Sequence, residues 1–350
     1  MEKGNMFTLT FGKEPQTFIP RMIESQAIID SFQQENPAKQ IYLITGVRGS
    51  GKTALLSHIS HYFREQDKWI VLDLNPEIDL LEEMASELYM SNKARLLFAK
   101  KELSISFHGI TFSLQGEKPI TTPTSLIKMM LDRLKEKGYR VLIAIDEVSA
   151  TPHMKTFAQA FQILLREDYP VFLLMTGLYS NVRNLQNQPS LTFLLRAPRI
   201  ALGNLNVSSI ASKYQTAFGF NRETAYSFAH LSKGYAFAFQ VIGLLIHETS
   251  QTQIDDAFLA MLDQNLQEYV YKKIWAESSA KTKEILMEIA KEGGTIKVGT
   301  LVSNLGIEHK NLSSYRADLL AEGLLESPSY GYLSFALPRF DSFVLAESNY

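Results

Sequence analysis

No cysteine occurs among the 350 residues, which excludes disulfides, thiolate metal sites and cysteine nucleophiles. An apolar run of about 18 residues is also missing, so neither a membrane helix nor a membrane partner is expected. The N-terminus has no basic stretch leading into an apolar one; no signal peptide is read, and a cytoplasmic location is expected. An excess of charge is absent too. There are 35 basic and 37 acidic residues, a formal net charge of −2, so any nucleic-acid contact must come from a local patch. The seven histidines show no metal-ligand spacing, and His58 and His61 have no carboxylate at a matching position on their helix face. The chain does have apolar content: 45% hydrophobic and 11% aromatic residues, a composition that folds. Its length implies two or three domains.

Residues 46–53 read Gly46-Val47-Arg48-Gly49-Ser50-Gly51-Lys52-Thr53, a complete G-x-x-x-x-G-K-S/T phosphate-binding loop. A strand-like run, Ile41 to Ile44, precedes it, and Ala54 to Ile59 carries apolar residues at helical spacing. Strand, glycine loop and helix form the context in which backbone N–H groups turn inward around a triphosphate, helped by the positive end of the helix. Gly46, Arg48, Gly49, Ser50, Gly51, Lys52, Thr53 and Ala54 are therefore expected to line ATP or ADP. Lys52 would reach the β- and γ-phosphates, and Thr53 would hold Mg²⁺.

The apolar run Val141 to Ile145 ends in Asp146-Glu147. Carboxylates at the C-terminal end of a buried parallel strand lie where open α/β sheets place their ligands. Asp146 would bind a Mg²⁺ water, and Glu147 would orient and deprotonate the attacking water. Thr176-Gly177 ends the next strand. Thr176 reads either as a sensor of the γ-phosphate, if its strand neighbours the phosphate-loop strand, or as an ordinary strand-end turn. Arg183, Arg196 and Arg199 follow, each a candidate cation for the transferring phosphoryl group or a plain surface arginine.

The periodicity predicts an α/β domain with a parallel sheet. Strands fall at 41–44, 69–74, 141–145 and 170–175, and helices at 22–34, 78–100, 123–137 and 153–166. Thr124 or Ser125 reads as an N-cap. Two alternating runs around Gly109 predict a β-hairpin inserted at 103–114. From 207 to about 275 helical patterns dominate, at 207–218, 221–231, 235–249 and 253–275. Three helix-like segments (281–291, 298–304, 308–322) and a short hairpin then supply the elements of a winged helix.

Taken together the chain resembles an AAA+ ATPase of the branch that includes origin-recognition-type initiators, signal-transduction ATPases and archaeal- and bacterial-type ATPases. The matching features are Gly46–Thr53 (Walker A), Val141–Glu147 (Walker B), the Thr176-Gly177 strand end and the helical segment followed by a winged helix. Phe18-Ile19-Pro20-Arg21-Met22-Ile23-Glu24 resembles the box that precedes the first helix in that branch, with Pro20 in place of glycine. The resemblance implies that Arg21 lies near the adenine and ribose. Ser232 to Phe237 resembles the second-sensor turn, with Ala236 in place of proline and no arginine close behind. The implied domains are a P-loop NTPase core over 1–202, a helical lid over 203–278 and a winged helix over 279–350.

The implied function is a Mg²⁺-dependent ATP-hydrolysing switch in which the lid angle follows nucleotide state. The winged helix would engage double-stranded DNA through 308–322, or a protein partner. His309, Lys310, Asn311, Ser313, Ser314 and Arg316 are residue types that contact phosphates and base edges. Yet residues 281–340 hold seven basic and seven acidic side chains, a neutral balance that suits protein contacts as well. The alternatives are a DNA-binding regulator with structural nucleotide, or a protein–protein signalling module. Self-association, common among AAA+ proteins, is a further partner class.

Overall fold

A computed structural model describes residues 6–9, 17–98 and 122–347. The predicted hairpin at 103–114 lies outside the described residues. The chain divides into two compact units, one of 22–45 with 55–200, the other of 1–21, 46–54 and 201–350.

In chain order, the elements through residue 201 begin with α1 (Met22–Gln33), β1 (Ile41–Thr45), α2 (Lys52–Arg64) and β2 (Trp69–Leu74). Then come α3 (Leu80–Met90), α4 (Asn92–Phe98), α5 (Pro123–Glu136), β3 (Arg140–Ile145) and α6 (Pro152–Arg166). β4 (Val171–Gly177), α7 (Tyr179–Gln186), a 3₁₀ turn (Pro189–Arg196) and β5 (Arg199–Ala201) complete this part. The strands form one sheet in the order β2-β3-β4-β1-β5. β2–β3, β3–β4 and β4–β1 are parallel. β1 and β4 are buried along their whole length, and β3 from Val141 on, as expected for unbroken apolar runs covered on both faces.

Two local expectations are corrected. The predicted helix 78–100 breaks at Ser91, which adopts extended backbone. Its hydroxyl donates to Leu88 O and accepts from the Ala94 N–H, so one serine closes α3 and opens α4. The N-cap of α5 is Thr122, not Thr124 or Ser125: its Oγ1 accepts from the Ser125 N–H, with Pro123 in the first turn, where its missing N–H is no loss.

The other unit carries α8 (Val207–Phe218), α9 (Arg222–Leu231), α10 (Ala236–Thr249) and α11 (Asp256–Leu266). A π-helical turn (Gln267–Tyr271) joins α11 to α12 (Lys272–Glu277). α13 (Ala280–Lys291), β6 (Thr295–Lys297), α14 (Val298–Leu305) and α15 (His309–Glu322) follow. β7 (Leu325–Glu326), β8 (Tyr332–Phe335) and α16 (Phe340–Glu347) end the described chain. β6, β8 and β7 form a small antiparallel sheet. One apolar core runs from Phe228 and Phe258 in the helical stretch to Ile289, Phe335 and Phe343 in the C-terminal stretch. It is stitched by Tyr271, which donates to Pro338 O at 2.6 Å, and by the Arg339 fork on Asp263.

Glu322 sits on the last turn of α15, where burial, and next the charge of Asp318, raise its pKa above the ordinary carboxylate value. An acid whose folded pKa is raised weakens the fold wherever it is ionised. Glu322→Gln is therefore expected to raise the thermal midpoint at about pH 7, and the gain is expected to fade near about pH 4, where the native acid is itself neutral. A gain of equal size at both pH values contradicts this account.

Candidate nucleotide site

The phosphate loop leaves β1 at Thr45 and enters α2 at Lys52. Its shape depends on two glycines with left-handed backbone, Gly49 (φ 72°) and Gly51 (φ 90°), a region that costs other residues about 1 kcal/mol or more. Gly49 is required twice over, because an added Cβ would lie 2.8 Å from Phe237 Cβ and overlap the Tyr235 hydroxyl.

Five successive carbonyls of the loop accept hydrogen bonds. Lys52 Nζ donates to Gly46 O at 3.0 Å and Val47 O at 2.9 Å, and the Ser50 N–H also reaches Val47 O. The Tyr235 hydroxyl donates to Arg48 O at 2.5 Å, and the Phe237 N–H to Gly49 O at 3.0 Å. Arg21 Nη2 donates to Ser50 O at 3.0 Å and to Gly203 O at 2.7 Å. Carbonyl and N–H of a trans peptide point in opposite directions, so anchoring these oxygens orients the following amides the other way. Lys52 is only 8% exposed. The Ser50 hydroxyl is buried with no partner among the described residues, an oxygen lacking the bond a buried polar group ordinarily makes.

Arg21 therefore braces the loop backbone. The Arg48 side chain is engaged elsewhere: its Nε and Nη2 form a fork on Glu277, at 3.1 and 2.8 Å. Partial burial pushes the Glu277 carboxyl up, but the hydrogen bonds and charges of Arg48 and Lys273 outweigh it and hold the acid below its ordinary range. Burial keeps the Tyr235 phenol protonated, hence a donor. Neither Tyr235 nor Glu277 stands out as a loop contact in the sequence. Tyr235 lies in a glycine-aromatic turn that invites attention, whereas nothing in the sequence pairs residue 277 with residue 48.

The acidic pair closes β3. β4 lies between β3 and β1, with Ile44 opposite Thr176 and Thr45 opposite Gly177, so the strand ending in Thr176 does neighbour the phosphate-loop strand. Thr176 is fully buried; its hydroxyl donates to Asp146 Oδ1 and accepts from the Glu147 N–H at 3.2 Å. The Glu147 N–H is shared with Asp146 Oδ1 at 3.1 Å, and the Val148 N–H reaches Thr176 O at 2.8 Å. Thr176 thus holds the acids in place. Glu147 has φ 54° and an exposed side chain, a non-glycine residue in left-handed backbone of the kind found at functional sites.

Among the arginines singled out, Arg199 lies over the Tyr179 ring at 4.8 Å, and Arg183 and Arg196 are exposed. In α15, Lys310 pairs with Glu308 at 3.1 Å, whereas the half-buried Arg316 has an Nε with no partner among the described residues. Among the described residues no group of three or more His, Asp or Glu side chains forms a metal cluster, and no helix is long and apolar enough to cross a membrane.

Residues 22–103 match the family described as mitochondrial ribosomal death-associated protein 3, and residues 268–344 match a domain of unknown function, DUF8462. A comparison with curated proteins finds no match. Among solved structures, the ORC2 protein of Aeropyrum pernix, described as ADPNP–ADP complexes, aligns with a TM-score of 0.59 at 13% identity, over 97% of this chain and 98% of that one. Cdc6p from Pyrobaculum aerophilum aligns with a TM-score of 0.51 at 13% identity, over 97% and 96%. With the parallel sheet, the glycine loop after β1 and near-complete mutual coverage, this chain has the fold of an AAA+ ATPase of the Cdc6/ORC type.

Proposed function

We propose that this protein is a Mg²⁺-dependent ATP-binding and ATP-hydrolysing switch. The observation that carries the reading is the run of five engaged carbonyls, Gly46 to Ser50, with Lys52 folded over the first two. A loop with its oxygens turned to protein partners offers its amides to an anion, and a nearly buried lysine supplies the matching charge. The Ser50 hydroxyl, buried without a partner among the described residues, is a further polar atom suited to a phosphate oxygen.

Thr53 and Asp146 supply hydroxyl and carboxylate oxygens, the donor type magnesium takes. Magnesium bound there would neutralise charge on the transferring phosphoryl group. Lys52 binds phosphate; Thr176 orients Asp146; Glu147 takes the proton of the attacking water. The nucleotide-binding core (1–202), helical lid (203–278) and winged helix (279–350) are the modules of this reading. Arg21 acts by bracing the loop backbone beside the ribose. Isothermal titration of the full chain with ADP and ATP, at millimolar magnesium, tests the proposal. Heat of binding, and phosphate release with ATP, are expected; no heat with either nucleotide overturns it.

For the winged helix a second reading, protein contact in place of DNA contact, is favoured by particular residues. Lys310 lies beside the Glu308 carboxylate at 3.1 Å, and the Nε of Arg316 is buried. DNA affinity rests on cations free to neutralise phosphates. The exposed His309, Asn311, Ser313 and Ser314, with Tyr330 and Tyr332 before and in β8, serve either partner.

A further inference from the structure

We propose that Tyr235 and Glu277 are positioning residues of the phosphate loop, and that the clamp they form sets the rate at which bound nucleotide leaves. The inference rests on the nucleotide-binding reading above and adds to it a control on release.

The clamp has three parts. The Tyr235 hydroxyl holds Arg48 O, the Phe237 N–H holds Gly49 O, and Glu277 holds the Arg48 guanidinium through two parallel bonds. All three grip residues 48 and 49, the second a glycine with φ 72°, the residue type with the widest backbone freedom. Fixing the carbonyl of residue 48 aims the Gly49 amide the opposite way, since the peptide is planar and trans. The hydroxyl of one fully buried tyrosine thus directs an amide of the anion cradle without touching the anion.

Glu277 reaches Arg48 from the last residue of α12, and Lys273 one turn earlier pairs with the same carboxylate at 3.3 Å. The side chains of Arg48 and Glu277 are 29% and 41% exposed. A pair so exposed adds little to folding stability, and salt screens it. Its work is therefore separable from the integrity of the fold: losing Glu277 frees a loop segment and leaves the core intact. Gly323, closing α15, lies 3.7 Å from the Val47 side chain when given a Cβ, so the grip on 48 and 49 adjoins a loop residue already backed by the C-terminal stretch.

The test is the dissociation rate of a fluorescent ADP analogue from the full chain, chased with unlabelled ADP in a stopped-flow instrument. Tyr235→Phe and Glu277→Gln are each expected to speed release about three- to tenfold, the worth of one hydrogen bond, with association changed far less. Wild-type release is expected to quicken with ionic strength, with a weaker dependence in Glu277→Gln and the wild-type dependence in Tyr235→Phe. A merely structural role would leave the salt dependence unmoved. Release from Glu277→Gln at the wild-type rate and with wild-type salt dependence overturns the clamp, even where Tyr235→Phe fails to fold. Wild type that binds while both variants release as it does refutes the clamp alone; wild type that binds no nucleotide refutes the nucleotide reading and the clamp with it.

Discussion

Lys52→Ala is expected to abolish nucleotide binding at micromolar concentrations. The ammonium is nearly buried and donates to two loop carbonyls, so it is already placed over the cradle. Truncating one partner of a buried charge pair costs about 2–5 kcal/mol, which is a loss of about 30- to 4,000-fold in affinity. Removal also leaves Gly46 O without the donor the structure gives it, so the loop itself should relax. Thermal denaturation separates the two effects. Wild type should gain stability with ADP and magnesium, by about 2.7 kcal/mol at 100 times its dissociation constant. The variant should melt at one temperature with or without ligand. A ligand-induced shift equal to that of wild type would show that the phosphates lie elsewhere.

Glu147→Gln is expected to bind ATP as wild type does and to hydrolyse it about 10²- to 10⁴-fold more slowly, the usual worth of a positioned general base. The substitution keeps the side-chain length. It also keeps the backbone N–H that joins Glu147 to Thr176 and Asp146, so the end of β3 should hold its form. Only the proton acceptor is lost. Single-turnover phosphate release beside equilibrium binding makes the distinction. Wild-type turnover in the variant would remove Glu147 from the chemistry, and weakened binding with unchanged turnover would make it a ligand for the nucleotide.

Much of the fold was legible because buried parallel strands announce themselves. Val141 to Ile145 and Val171 to Met175 are unbroken apolar runs, and both are strands paired in parallel. Elements with weaker signals were missed: β5 and β6 are three residues each, too short for a period, and α16 follows a proline and an arginine in left-handed backbone. The stretch 253–275 reads as one helix, yet it holds a π turn at Gln267–Tyr271. In the site, the glycine loop and the acids at 146–147 were legible because their chemistry fixes residue types at fixed spacing. Bonds that depend on tertiary placement were not. The Thr176–Asp146 contact spans 30 residues and Arg48–Glu277 spans 229, and no local spacing encodes either.

The π turn bears on how this chain tolerates change. It takes up one residue more than a regular α-helix would over the same rotation, since each residue of an α-helix advances about 100° around the axis. Deleting one residue from Gln267–Tyr271 would let the helix run on regularly and leave Glu277 on the side it now turns to Arg48, because the π turn already holds about one residue more than an α turn. One residue removed instead from the regular turn between Lys272 and Glu277 would carry Glu277 about 100° around the axis and release the grip on a loop more than 200 residues upstream.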